Sequence, residues 1–227
     1  MFRMKNKLNN LYNANREVKF ALVGAGKMGK GLVNQLSRIK GLTSSVVIDE
    51  KPEKAMEALI SSGVRKSDIT TSDNIKIIEN SIKNGMYVVS DDYSIACKLQ
   101  DIKGVVDATG NPPFGAILAM EAIENRKHTI MLNVECDAVI GPYLFNLAKK
   151  KNVIYTGSAG DEPGAIMELA DFALGAGFKL LAVGKGKNNP LNHYITEDEV
   201  REEAISKGLY PKMLAGFIDG TNTMIEL

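Results

Sequence analysis

The segment whose spacing points most directly to chemistry is Gly24-Ala-Gly26-Lys-Met-Gly29, which follows an apolar run, Val18-Lys-Phe-Ala-Leu-Val23. Such a glycine triplet suits a turn that leads from a strand into a helix. The first glycine makes the turn, the second lets backbone approach a pyrophosphate, and the third lets the helix pack on the strand. N–H groups at the helix start then hold phosphate oxygens. Gly24, Ala25, Gly26, Lys27, Met28 and Gly29 are therefore candidate dinucleotide-binding residues. A bare match of this kind also describes an ordinary tight turn, so its context has to decide. The context is a second apolar run, Ser45-Val-Val-Ile-Asp49, ending in a carboxylate twenty residues past Gly29. An acid at that point bonds the adenine ribose hydroxyls; the alternative role is a strand-end cap. Asp49 would repel the extra phosphate of NADP, whereas Lys51 and Lys54 pull the other way, so NAD against NADP stays open. In the loop Ala108-Thr-Gly-Asn-Pro-Pro113, the residues Thr109, Gly110 and Asn111 either contact the nicotinamide end or simply connect strand to helix.

Three further polar segments fall at or after successive strand ends: Asn133-Val-Glu135, Gly160-Asp-Glu162 and Gly184-Lys-Gly-Lys-Asn-Asn189. Hydride transfer to a carbonyl needs a group that polarises or protonates the oxygen as charge develops, and a lysine ammonium can do this. Lys185 and Lys187 are the candidates, with Asp161 and Glu162 beside them as catalytic carboxylates. Glu135, Asn188 and Asn189 are candidate substrate contacts. Paired carboxylates could also hold a divalent cation. The plainer roles are helix capping for Glu135 and Asp161, a favourable helix-start charge for Glu162, and a solvated turn for the lysines.

These residues need elements to position them. Six short apolar runs (18–23, 45–49, 86–90, 104–107, 129–132 and 153–156) alternate with stretches that scan as helices, among them Met28–Leu36 and Phe114–Arg126. That alternation predicts a doubly wound parallel α/β sheet of Rossmann type. Pro112-Pro113 sets the start of the second of those helices. After Thr156 the character changes. A glycine-rich turn leads into a helix over 164–174, a seventh apolar run covers Phe178–Val183, and Thr196-Glu-Asp-Glu199 resembles a capping box. The expected organisation is a dinucleotide-binding domain over 1–156 and a partial catalytic or substrate domain over 157–227.

Composition excludes several classes. The 227 residues carry 28 Lys+Arg against 27 Asp+Glu, a net charge of +1, which argues against a surface built for nucleic acid or an anionic membrane. With 44% hydrophobic and 24% charged residues the chain is of globular, not disordered, type. No apolar run approaches the ~20 residues of a membrane span, and the basic N-terminus lacks the apolar core of a secretory signal. Two cysteines, Cys97 and Cys136, make no disulfide framework, and two histidines without a Cys/His cluster argue against structural zinc. A cytoplasmic location is expected.

Taken together, Val23–Gly29, Val106-Asp-Ala-Thr-Gly-Asn111, Lys127–Glu135 and Gly160-Asp-Glu-Pro163 resemble the homoserine dehydrogenase superfamily. The match is closest to its SAF-domain-bearing branch, where Gly184-Lys-Gly-Lys-Asn-Asn-Pro190 and Asp219-Gly-Thr221 also find counterparts. That branch includes enzymes similar in activity to 1-deoxy-D-xylulose 5-phosphate reductoisomerase. The resemblance implies an NAD(P)-dependent oxidoreductase, a homo-oligomer such as a dimer, with the 160–163 and 185–189 strings lining a small-molecule pocket. Members of the branch are about twice this length, so the resemblance implies either the N-terminal part of a longer protein or a naturally shortened relative. Three functions follow as expectations: a dehydrogenase acting on a small polar, phosphorylated or acidic sugar-derived substrate; a reductoisomerase-like activity; or a non-enzymatic NAD(P)-binding module.

Overall fold

The computed structural model describes residues 3–160, 162–184, 186 and 189–226. The chain divides into two compact units, Met1–Thr156 and Gly157–Leu227.

The first unit opens with helix α1 (Met4–Asn13), then β1 (Val18–Val23), α2 (Lys27–Leu36), β2 (Leu42–Ile48), α3 (Pro52–Ser61), β3 (Ile69–Thr71), α4 (Ile75–Lys83) and β4 (Tyr87–Ser90). It continues with α5 (Ser94–Lys98), β5 (Gly104–Asp107), α6 (Pro112–Glu124), β6 (His128–Met131) and α7 (Val134–Lys151), and β7 (Tyr155–Gly157) runs across the boundary. The strands form one seven-stranded sheet in the order β3-β4-β2-β1-β5-β6-β7, and the pairings among β1 to β6 are all parallel. The fold is a Rossmann-type α/β fold. Chain progression reverses between β1 and β5, and in an open parallel sheet the ligand crevice lies outside the carboxyl ends at such a switch point.

Successive side chains of a strand face opposite ways, and both faces here are covered. Ala21, Val23, Val46, Ile48 and Val105 pack with Ile78 and Ile82 of α4, Ile95 of α5 and Leu118 of α6. Phe20, Leu22, Val47, Val89 and Val106 pack on the other face with Val33 and Leu36 of α2 and Ala55, Ala58 and Leu59 of α3. Burying each such Leu or Ile contributes about 1.5–3 kcal/mol. That two-sided burial is why the strands read as continuous apolar runs.

Strand limits differ slightly from the sequence expectation. β2 starts three residues earlier and ends at Ile48, so Asp49 lies just beyond it. β3, a three-residue edge strand, carries too little pattern to be seen in the sequence.

The second unit holds α8 (Glu162–Gly175), α9 (Arg201–Ser206), α10 (Pro211–Asp219) and α11 (Thr221–Glu226). Its core is small, with Val200, Ala204, Leu214 and Ala215 packed by Ile195, Leu209, Phe217 and Ile218. Two features of this unit depart from the local sequence pattern. The run Phe178–Val183 is not a strand; Phe178 and Leu181 are 68% and 89% exposed. Apolar, branched sequence makes a strand only where a neighbour completes the ladder, and none pairs with it among the described residues. The Thr196/Glu199 box forms, with Thr196 Oγ1 donating to Glu199 Oε2 at 2.7 Å and the Glu199 N–H returning to Thr196 Oγ1 at 3.4 Å. It closes a turn, however, and α9 starts only at Arg201. No helix among the described residues is long and apolar enough to cross a membrane.

Candidate functional site

The glycine loop sits at the switch point. Gly24 has a φ of +97°, and a Cβ there would lie 2.7 Å from the carbonyl carbon and oxygen of Ala108, the residue after β5. Only glycine satisfies both the turn and that approach. The loop is anchored on both neighbours, since the Gly24 N–H donates to the Ile48 carbonyl and the Ala108 N–H to the Val23 carbonyl, each at 2.8 Å. A Cβ on Gly29 would lie 1.9 Å from the Gly24 carbonyl oxygen, so its absence lets α2 seat against the end of β1. Gly26 differs from both. A Cβ there would meet nothing within 4 Å, and Gly26 is the N-cap of α2 with no side-chain cap. First-turn amides of a helix have no intrahelical acceptor. This helix start thus carries no N-cap side chain, and the space at Gly26 is clear. Met28, in the same turn, is 66% exposed.

Asp49 lies beside this loop and is 8% exposed. Its Oδ2 accepts the Ala25 N–H at 2.8 Å and its Oδ1 accepts the Lys51 N–H at 3.0 Å. The side chain therefore braces the loop as well as standing at the end of β2. Each carboxylate oxygen keeps acceptor capacity after one bond.

The loop after β5 is built on a buried polar cluster. Asp107 and Asn133 are both 0% exposed. Asp107 Oδ1 accepts from the Thr109 N–H at 2.9 Å and the Thr109 hydroxyl at 2.7 Å. Asn133 Nδ2 donates to Asp107 Oδ2 and to the Asn111 carbonyl, each at 3.0 Å, while Asn133 Oδ1 accepts the Cys136 N–H at 3.3 Å and caps α7. One amide thus ties the end of β5 and the loop before α6 to the start of α7. A Cβ on Gly115 would lie 2.4 Å from Asp107 Oδ2 and 2.5 Å from Asn133 Nδ2, so glycine makes room for the cluster.

Thr109 is turned inward by these bonds, and Asn111 caps α6 by accepting the Phe114 N–H at 3.2 Å. Gly110, at φ +61°, is exposed between them. Glu135 is half-buried in the first turn of α7. Sequence reasoning does not single out Asp107. Its signal is a charged residue closing an otherwise apolar strand, with an amide at the end of the next strand. A second cluster in α7 escapes it too: the Tyr155 hydroxyl donates to Asp137 Oδ1 at 2.8 Å.

Candidates in the second unit are less completely described. Asp161, Lys185, Lys187 and Asn188 lie outside the described residues, and of Glu162 only its place at the start of α8 is described. Asn189 Nδ2 donates to the Phe217 carbonyl at 2.6 Å, tying its loop to α10. Among the described residues no three His, Cys, Asp or Glu side chains come together to hold a metal ion.

Comparison with known proteins is consistent with this architecture. Residues 160–227 match the family model for "Oxidoreductase DRL, catalytic domain". Similar solved structures include an NAD binding oxidoreductase from Klebsiella pneumoniae, at 14% identity and a TM-score of 0.50, covering 71% of this chain and 39% of that one. The WlbA dehydrogenase from Bordetella pertussis, in complex with NADH and UDP-GlcNAcA, is similar at 16% identity and a TM-score of 0.51, covering 72% and 41%. A levoglucosan dehydrogenase in complex with NADH and L-sorbose is similar at 19% identity and a TM-score of 0.50, covering 71% and 40%. At these identities the likeness establishes the fold. The chain spans about two fifths of the length of these structures. No curated protein matches it.

Proposed function

We propose that this chain binds NAD(H) or NADP(H) and belongs to an oxidoreductase acting on a small polar carbonyl or alcohol, of the sugar-derived type. The observation that carries the reading is the Gly24–Gly29 loop, with glycine required at Gly24 and Gly29 and unobstructed space at Gly26, where the helix start has no N-cap side chain. The match of residues 160–227 to an oxidoreductase catalytic domain supports it.

In this reading the first-turn amides of α2 hold the pyrophosphate, and Asp49 accepts the adenine ribose hydroxyls while keeping its bond to Ala25. The bound nicotinamide supplies or takes up the hydride. Gly110 and Asn111, held by the Asp107–Asn133 cluster, form the wall at the nicotinamide end. Lys185 or Lys187 stabilises charge on the substrate oxygen, with Asp161 and Glu162 as proton-handling carboxylates and Glu135, Asn188 and Asn189 as substrate contacts. Placement in the SAF-bearing branch of the homoserine dehydrogenase superfamily, a homo-oligomeric state and a cytoplasmic location belong to the same proposal, with a reductoisomerase-like activity using a divalent metal, or a non-enzymatic NAD(P)-binding module, as the alternatives. They rest on the sequence motifs.

The test is direct titration of NADH and NADPH, read from nicotinamide fluorescence, since the chain has no Trp to interfere. Saturable binding of either supports the reading. No binding at millimolar concentration would sink it.

A further inference from the structure

We propose that a cavity at the amino ends of β1, β2 and β4 is a binding site for a phosphate group carried by a small molecule. It has a volume of about 450 Å³, within the usual range of small-molecule sites. It lies at the opposite ends of the strands from the glycine loop. The six residues of β1 put about 20 Å between the two ends of the sheet.

The floor of the cavity is an irregularity in β2. Phe20 of β1 pairs with Ser44 but Ala21 pairs with Val46, leaving Ser45 as an extra residue. Such bulges are rare between parallel strands and re-aim side chains next to functional sites. Ser44 and Ser45 both line the cavity and are 3% and 5% exposed. Neither hydroxyl has a hydrogen-bond partner among the described residues, and neither is sealed from the cavity, as the orphaned Thr129 Oγ1 is from its surroundings. A buried hydroxyl without a partner is a standing desolvation cost that a ligand acceptor removes.

Charge around this floor fits an anion. Three cations, Lys19, Arg38 and Lys40, line the cavity with one carboxylate, Glu17. The Lys19 ammonium donates to the Ile82 carbonyl at 3.0 Å near the end of α4. That bond offsets the negative helix end that would otherwise repel an anion. Lys40 stands 5.1 Å from the centre of the Tyr12 ring. Arg38 makes no ion pair among the described residues and presents the planar fork that suits phosphate oxygens. Two hydroxyl donors below and two cations at the rim match an acceptor-only, multiply charged group.

Inorganic phosphate is the probe, with binding followed by calorimetry in the absence and presence of saturating NADH. We expect one phosphate per chain whether or not NADH is present. Arg38→Met and Ser45→Ala should each lower phosphate affinity about tenfold, the scale of one charge-assisted or buried hydrogen bond. Ser45→Ala should leave the melting temperature of the phosphate-free protein unchanged or higher, because it removes an unpaired hydroxyl; a merely structural serine would give a lower one. Phosphate affinity unaltered in both variants overturns the proposal. Displacement of phosphate by NADH also overturns it, by placing the ion in the glycine loop. If the chain binds no NADH, the two substitutions still decide the matter, so this site stands or falls apart from the dinucleotide reading.

Discussion

The Asp49 carboxylate accepts the backbone N–H of Ala25 at 2.8 Å, across 24 residues of chain. The residue proposed to select the ribose therefore also shapes the loop proposed to hold the pyrophosphate. Substitutions at Asp49 separate the two roles. Asp49→Asn keeps an oxygen for Ala25, and we expect NADH binding to weaken by about 1–2 kcal/mol, as for a lost charge-assisted hydrogen bond. NADPH binding should hold or improve. Asp49→Ala, which also frees the Ala25 N–H, should weaken NADH further. Unchanged NADH affinity in both variants would leave Asp49 a structural brace only.

The glycines of the loop divide by what a methyl group would meet. Gly29→Ala sets a Cβ 1.9 Å from the Gly24 carbonyl oxygen and should lower stability by about 1–3 kcal/mol or more, measured by urea unfolding. Gly26→Ala meets no protein atom, so its stability cost should stay near the ~1 kcal/mol of a poorer N-cap. Its NADH affinity should nevertheless fall at least about tenfold, since the methyl occupies space proposed for the pyrophosphate. Equal losses of stability in the two variants would contradict the packing described.

Asn133→Ala removes two donors and one acceptor at once and leaves Asp107 Oδ2 buried without its partner. The expected cost is about 3 kcal/mol, against about 1–2 kcal/mol for Thr109→Val, which deletes the hydroxyl's bond to Asp107 and the longer bond it accepts from the Asn111 N–H. Chemical denaturation of the three proteins checks the order. A Thr109 variant less stable than the Asn133 variant would show that the amide is not the centre of the cluster.

Burial pushes the Cys97 thiol up to about 12, aided by the charge of Glu121, and burial likewise pushes Cys136 up to about 11. Thiolate is the reactive form, so neither residue should react with a thiol reagent at pH 8 until the chain unfolds. The sign of the stability effect follows. A folded pKa raised above the unfolded value near 8.5 contributes stability that is complete below pH 8 and is lost between about pH 8.5 and 12. Tyr155, raised by burial and by its bond to Asp137, acts in the same direction at higher pH. Lys127, lowered by burial, opposes them. A Cys97→Ala/Cys136→Ala variant should lose less stability between pH 8 and pH 10.5 than the parent. An equal loss would mean that the thiols do not carry the alkaline dependence.

Much of this protein is legible in its residues. β1 and β5 fall where the apolar runs place them, because strands buried on both faces write themselves as unbroken hydrophobic sequence. The turn before α2 is partly local: Gly24 takes the positive φ of the turn and Gly29 clears the Gly24 carbonyl five residues back, whereas the approach of Ala108 to Gly24 is long-range. Pro112 and Pro113 start α6 through local backbone preference.

What the sequence does not carry is long-range pairing. Phe178–Val183 has the composition of a strand, yet whether it becomes one depends on a neighbour that no local pattern specifies. Asp107 reads as the end of a strand, and only the packing of β5, α6 and α7 makes it the buried partner of Asn133, 26 residues on. Ser45 looks like any strand-edge serine until the register with β1 slips by one residue and turns its hydroxyl into a cavity. Local backbone preference and burial on two faces determined the sheet and the glycine turn. Contacts between residues far apart in the chain, whose energy exists only once the sheet has closed, decided which polar groups are braced, which are buried together and which remain without a partner.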